Sequence, residues 1–172
     1  MTKETWRTIR ESIETILVAL ALAFLIRAFV VESFVVEGFS MEPSLHHGER
    51  LLVNKVVYRL RQPERGDIIV FRYPYDPRRD FIKRVVAVAG EDVMVKNGVV
   101  MVNGSPLSEP YVLHPGGPDF ALRKVPEGTV FVLGDNRSGS EDSRSFGFVD
   151  LRLIKGKAFV VYWPIGSIRA VH

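Results

Sequence analysis

Phe81-Ile82-Lys83-Arg84-Val85-Val86-Ala87-Val88-Ala89 reads as one extended strand, closed by Gly90. Alternate side chains of a strand share a face, so Phe81, Lys83, Val85 and Ala87 lie on one side and Ile82, Arg84, Val86 and Val88 on the other. Both sides are mainly apolar, which predicts a strand buried on both faces. A lysine in such a strand is unusual, because ammonium groups are seldom buried unpaired. Either it stands at the strand end and snorkels to water, or it is desolvated. Desolvation lowers an amine's pKa and leaves a neutral base. Arg84 cannot serve, since guanidinium stays charged.

Outward from this strand the chain keeps the same texture. Arg50 to Tyr58, Asp67 to Tyr73, Gly128 to Leu133 and Lys157 to Trp163 are short runs rich in Val, Leu, Ile and aromatics. Asp92 to Lys96 and Val99 to Val102 flank Asn97-Gly98, a strong hairpin signal. Residues 105–126 carry Pro106, Pro110, Pro115, Gly116, Gly117, Pro118 and Pro126 and read as an irregular excursion. Many short strands with little helix predict a mainly β domain, a barrel or a sandwich.

Two polar stretches stand out against this background. Val36-Glu37-Gly38-Phe39-Ser40-Met41-Glu42-Pro43-Ser44-Leu45 places a serine between glycine and methionine in a loop. Alone, such a serine is an ordinary turn residue. Gly134-Asp135-Asn136-Arg137-Ser138-Gly139-Ser140-Glu141-Asp142-Ser143-Arg144 is a polar loop. Taken with Lys83, the two suggest a serine nucleophile, a lysine base and a polar support. A serine hydroxyl needs a base to attack a carbonyl, and a neutral amine needs its orientation fixed. Ser140 offers a hydroxyl, and Asp142 with Arg144 offers a pair that braces the loop.

The totals narrow the function. The net charge of +3 is too sparse for a nucleic-acid stripe and is matched more simply by a surface near anionic lipid. Cysteine is absent, which excludes disulfides, thiolate metal sites and a cysteine nucleophile. His46 and His47 are adjacent, so their side chains diverge, and His114 and His172 are isolated. Neither a metal site nor a Ser-His-Asp triad is expected, and no cofactor is implied.

Ahead of the β region, Thr15 to Ile26 carries no charge; Arg27 interrupts, and Ala28 to Val31 resumes. The uncharged run is shorter than the ~20 residues of a spanning helix. A cleaved secretory signal lacks a small-x-small site at a sensible place. A surface helix of the domain would show one apolar stripe, and here the apolar residues run all round. The favoured reading is a membrane anchor over 12–31, with Arg27 snorkelling outward. Lys3, Arg7 and Arg10 before it favour a cytoplasmic N-terminus, which places the domain on the outer face.

These motifs together resemble the bacterial type I signal peptidases, membrane-bound Ser/Lys proteases. The likeness runs through Arg27-x-Phe29-x-x-Glu32-x-Phe34, Ser40-Met41-x-Pro43-x-Leu45, Arg65-Gly66-Asp67-Ile68-Ile69-Val70-Phe71, Phe81-Ile82-Lys83-Arg84, Gly134-Asp135-Asn136-Arg137 and Ser140-x-Asp142-Ser143-Arg144. The resemblance implies that Ser40 is the nucleophile and Lys83 the general base. It also implies that Ser140 hydrogen-bonds the lysine amine, with Asp142 and Arg144 as a supporting salt bridge. Val36, Gly38, Met41, Phe81 and Ile82 match positions lining two shallow pockets for small side chains. The substrates implied are signal-peptide-bearing preproteins, cut after Ala-X-Ala at a phospholipid membrane.

The implied fold is mainly β: an N-terminal transmembrane helix, then a β-barrel-like catalytic core with a small β-hairpin insertion. The implied division is a cytoplasmic tail over 1–11, the anchor over 12–31, the core over 32–91 and 128–172, and an inserted subdomain over 92–127. Gly38 departs from members that carry there a serine whose hydroxyl helps hold the oxyanion. The Ser40 amide remains as a donor. The reading from a different class is a non-catalytic, membrane-anchored β-rich binding module, in which Ser40 and Lys83 are incidental. A self-cleaving Ser/Lys repressor would need a DNA-binding helix-turn-helix, and the N-terminus offers one apolar span instead.

Overall fold

The computed structural model describes residues 3–172; the first two residues of the expected tail lie outside the described residues. The chain opens with a continuous helix, α1 (Lys3–Phe29). Its first turns are drawn together by Arg7–Glu11 and Arg10–Glu14 pairs at 2.9 and 2.7 Å, four residues apart on one face. Beyond them Leu17, Leu20 and Phe24 are exposed, with nothing of the β body covering them. Among the described residues, no helix is long and apolar enough to cross a membrane. The helix starts well before the expected anchor and ends at Phe29, and the chain is a strand again from Val31.

The remainder is mainly antiparallel β. The larger sheet takes β1 (Val31–Val35), β2 (Arg50–Asn54), β3 (Ile68–Tyr73), β4 (Asp76–Val88) and β9 (Thr129–Leu133), with β10 (Val149–Asp150), β11 (Ile154–Trp163) and β12 (Arg169–Ala170). Its order is β1-β2-β11-β3-β4-β9-β10, with β12 added to β11. The smaller sheet takes β5 (Asp92–Lys96), β6 (Val99–Val102), β7 (Ser105–Pro106) and β8 (Phe120–Lys124) in the order β7-β6-β5-β8. Short helices α2 (Val57–Leu60) and α3 (Ser143–Phe146) fill two connections.

Three details correct the expectations. The larger sheet runs from an edge at β1 to an edge at β10, so hydrogen bonds do not close it into a barrel. The run expected as a strand to Tyr58 stops at Asn54, whose Oδ1 accepts the amides of Val56 and Val57 at 2.9 and 3.0 Å and turns the chain into α2. Within the irregular excursion, β8 adds to β5, pairing Asp92 with Lys124 and Val95 with Phe120. Its outward residues, Ala121 to Lys124, are exposed, so no apolar alternation marks it in sequence.

β4 is the central element. Ile69 of β3 faces Lys83 and Phe71 faces Phe81. On its other side β4 pairs with β9 only from Arg84 to Val88. The half from Asp76 to Lys83 therefore has no partner on that side. Val85 and Ile69 help form one packed cluster with Phe71, Val132 and Phe146. Val86 and Ala87 join another with Val93, Val95, Val100 and Phe131, and this one fixes the smaller sheet to the larger. A third cluster holds Met41, Leu45, Leu51, Val53, Val70 and Val161.

β2 and β11 approach closely at Gly156 of β11, where an added Cβ would lie 2.2 Å from the Asn54 carbonyl oxygen. Gly156→Ala is expected to force β2 and β11 apart at a cost of roughly 1–3 kcal/mol, lowering Tm by about 2–4 °C per kcal/mol for a chain of this size. Thermal unfolding of the full chain in detergent checks it; an unchanged Tm would mean that the two strands part without strain.

Candidate active site

The loop after β1 is built to present Ser40. The Val36 amide donates to the Glu49 carbonyl at 2.8 Å, and the Gly48 amide to the Val36 carbonyl at 2.9 Å. Met41 and Leu45 are buried in the core, and the Leu45 amide closes one turn onto the Met41 carbonyl at 2.9 Å. The serine thus sits at the lip of an anchored turn. From the other side the Asn136 amide donates to the Ser40 carbonyl at 3.0 Å and the Asn136 side chain to the Phe39 carbonyl at 3.2 Å.

Opposite stands Lys83, 4% exposed, with Nζ 2.7 Å from Ser40 Oγ and 3.0 Å from the Ile82 carbonyl. Among the described residues no carboxylate forms a salt bridge with it. Burial therefore acts largely unopposed and lowers the Lys83 pKa from 10.5 to about 8; the more distant charges of Asp142, Glu141 and Asp135 push weakly the other way. A serine hydroxyl facing a neutral amine can pass its proton to the nitrogen lone pair.

Arg84 points to the opposite face and is treated in the opposite manner. Its Nε and Nη2 donate to Asp135 at 2.9 and 2.7 Å, and Nη1 donates to the carbonyls of Gly66 and His172. The guanidinium lies 4.0 Å from the Tyr111 ring centre. Asp142 and Arg144 form a fully buried pair, with Arg144 Nε and Nη2 each 2.8 Å from a carboxylate oxygen. Arg144 also donates to the Arg137 and Gly116 carbonyls, and Asp142 accepts the Gly134 amide at 3.1 Å. Arg137 is held by Glu109 at 2.8 Å. Asp135, Asn136, Arg137 and Glu109 carried no role in the sequence reading. The Gly134-Asp135-Asn136-Arg137 run was the signal, but their partners lie far away in sequence.

Ser140 lies against the same loop: a Cβ on Gly134 would come within 2.3 Å of its Oγ and 2.4 Å of the Ser40 carbonyl oxygen. Its hydroxyl is buried and makes no hydrogen bond among the described residues. The bond to the lysine amine that the resemblance implies is not formed here, since Lys83 turns to Ser40 and to Ile82 instead.

Ser40 and Lys83 lie in a cleft of about 620 Å³, bounded by the edge strand β1 and the unpaired half of β4. Val36, Gly38, Phe81 and Ile82 line it, as the resemblance implies. Met41 does not; its side chain is 1% exposed and packs beneath, with Leu45 and Val53. Glu141 joins the lining, its carboxylate held by the Tyr73 hydroxyl at 2.5 Å. Gly38 has φ +90°, a conformation that side-chain-bearing residues rarely adopt. A serine at that position would be strained even though the space beside it is open.

Comparison with known proteins follows the same lines. Residues 9–163 match the family described as signal peptidase, peptidase S26. A probable signal peptidase I-1 of Synechocystis is 44% identical over 166 residues, spanning 92% of this chain and 85% of that protein. The signal peptidase I of Bacillus licheniformis is 38% identical over 92% of this chain and 91% of its own length. The crystal structure of a signal peptidase I from Enterococcus faecalis superposes with a TM-score of 0.51 at 36% identity. It covers 56% of this chain and 97% of that one.

The lowered pKa has a consequence for stability. The folded state releases the Lys83 proton more readily than the unfolded chain, so burying the charge destabilises fully below about pH 8 and not at all above about 10.5. At about 1.4 kcal/mol per pH unit the penalty near neutrality is about 3 kcal/mol. Lys83→Met, which keeps the bulk and drops the charge, is expected to be more stable than the parent at pH 6.5, with the gain fading by pH 10.5. Denaturant unfolding at the two pH values checks this; a variant no more stable at pH 6.5 overturns it.

Proposed function

The chain belongs to the signal peptidase family, peptidase S26, and from that premise we propose that it is a membrane-bound serine endopeptidase that removes N-terminal signal peptides from exported preproteins by a Ser40/Lys83 dyad. The observation that carries the assignment of the dyad is the 2.7 Å contact between Ser40 Oγ and a buried lysine amine with no counter-ion among the described residues. Lys83 takes the hydroxyl proton as Ser40 Oγ attacks the scissile carbonyl. The Ser40 amide donates to the oxygen that becomes negative. Lys83 then returns the proton to the departing amine, and water, deprotonated by the same nitrogen, releases the signal peptide from the acyl-enzyme.

Specificity for small residues fits the cleft. Val36, Ile82 and Phe81 narrow it next to Ser40, and the unpaired edges of β1 and β4 offer main-chain groups to an extended peptide. Asp142 and Arg144 brace the loop that carries Ser140, whose buried hydroxyl is without a partner among the described residues and is the group this reading assigns to the lysine amine. The anchor expected over 12–31, of which α1 covers 12–29, belongs to the same reading. It is supported by the uncharged run Thr15 to Ile26 and by apolar side chains exposed around α1. Lys3, Arg7 and Arg10 ahead of it favour a cytoplasmic N-terminus and a catalytic domain on the outer face. The core then comprises 32–91 and 128–172, and the smaller sheet with its excursion forms an inserted subdomain over 92–127.

Cleavage of a preprotein bearing an Ala-X-Ala site, in detergent with phospholipid, tests the assignment. The parent is expected to cut after the second alanine, while Ser40→Ala and Lys83→Ala stay folded and lose activity by several orders of magnitude. Activity retained by Lys83→Ala would remove the base; a parent that cuts no signal-bearing substrate would return the chain to the binding-module reading.

The pH dependence is a separate check. With the base titrating at about 8, kcat/KM is expected to fall about tenfold per unit below that value, to about 1% at pH 6. A rate that stays flat down to pH 5 is incompatible with a lysine base.

A further inference from the structure

The peptide segment leading into Ser40 is pinned at two places. Val36 is tied to Glu49 and Gly48, and the Phe39 and Ser40 carbonyls are tied to Asn136. Between these two anchor points, the Gly38 amide donates to His47 Nδ1 at 3.1 Å, and the His47 ring leans on Phe39 with ring centres 5.5 Å apart. Gly38 has no side chain to hold it and sits at φ +90°, so a flip of the peptide linking Glu37 to Gly38 meets little steric resistance. The His47 hydrogen bond is what fixes that plane.

The orientation matters because a trans peptide points its N–H and C=O in opposite directions. With the Gly38 N–H turned to His47, the Glu37 carbonyl is turned away from it, and Glu37 and Gly38 both line the cleft. We propose that His47 is a positioning residue for the peptidase reaction: its Nδ1 holds the Glu37–Gly38 peptide so that the Glu37 carbonyl accepts a main-chain N–H of the extended substrate beside Ser40. This rests on the reading of Ser40 as nucleophile.

Nδ1 can accept only in the neutral imidazole whose proton is on Nε2. In the imidazolium both nitrogens are donors, and a donor would then face the Gly38 N–H. The charged groups near His47 do not substitute for the acceptor. Glu49 is engaged by Arg169 at 2.7 Å through each oxygen and also accepts the His46 amide. His46 sits 3.9 Å from Glu49, Glu37 points into solvent, and the facing segment from Trp163 to Ile168 carries no charge.

The test uses the full chain in detergent with three variants. His47→Ala removes ring and acceptor, His47→Phe keeps a ring against Phe39 without an acceptor, and His47→Asn places an amide oxygen where Nδ1 was. Ala and Phe are expected to lose about tenfold in kcat/KM, mainly through KM, at unchanged Tm, and Asn to recover to within about twofold of the parent. Equal kcat/KM in all four proteins or failure of Asn to rescue overturns the proposal.

A readout independent of cleavage is hydrogen exchange at the Gly38 amide, followed by NMR on glycine-labelled protein. It should be slow in the parent and His47→Asn and faster in His47→Ala. Slow exchange in all three removes the hydrogen bond and with it the proposal. A parent that exchanges slowly but cleaves nothing fails the peptidase reading, and the substrate-positioning role falls with it while the His47 contact stands.

Discussion

An amine buried away from water and from counter-ions gives up its proton more readily than it does in solution. Lys83 meets those conditions through its position in β4. The strand is sandwiched between β3 and β9 just beyond it, so its backbone cannot swing the side chain outward. The apolar neighbours Phe81, Val85 and Ile69 leave the amine the Ser40 hydroxyl and one carbonyl as partners. Burial costs stability at neutral pH, and the packing of Met41, Leu45, Val85 and Ile69 on either side of Ser40 and Lys83 offsets it.

The neighbouring cations show what the alternative treatment looks like. Arg84, Arg137 and Arg144 are as buried as Lys83, yet each meets a carboxylate: Asp135, Glu109 and Asp142 respectively. Breaking such a pair by removing one partner typically costs 3–5 kcal/mol, because it leaves an uncompensated charge. These pairs join β4, the loop from 134 to 144 and the excursion that carries Glu109, Tyr111 and Gly116. Guanidinium suits that task, since its fork satisfies several acceptors at once and it never loses its charge. Adjacent residues of one strand thus divide the work: the titratable cation faces the cleft, and the permanent one ties the loops behind it.

What could be read in the sequence follows from which interactions are local. The strand from Phe81 was legible because an apolar run closed by Gly90 is a property of consecutive residues, although β4 already begins at the polar Asp76, and so was the hairpin at Asn97-Gly98, whose residues take φ of 50° and 77°. The Ser40 and Lys83 pair was legible only once three distant stretches were weighed together, since no local pattern records a contact between residues 43 apart. The turn at Asn54 was missed because an asparagine within a Val-rich run leaves no alternation break until its side chain bonds the amides beyond it. β8 was missed because it pairs on one edge and shows its side chains to solvent. Met41 was placed in the cleft on a matching position, whereas the turn that closes onto its carbonyl directs the side chain inward. The contacts of Glu109 and His47 were out of reach for the same reason as the arginine pairs: their geometry belongs to the folded chain alone.

Only Val30 separates the end of α1 at Phe29 from the start of β1 at Val31. A flexible linker would let the two elements reorient freely; a single residue between a helix and a hydrogen-bonded strand leaves two soft torsions. Mechanically the helix and the rim of the cleft are one lever with a stiff elbow. From that elbow the chain runs through β1 and the anchored turn to Ser40 with no flexible linker between. If Ser40 is the nucleophile and α1 the anchor, as proposed, that stretch sets how far above the helix end a bond must lie to be cut, so that a substrate would be sorted by length before its side chains are read.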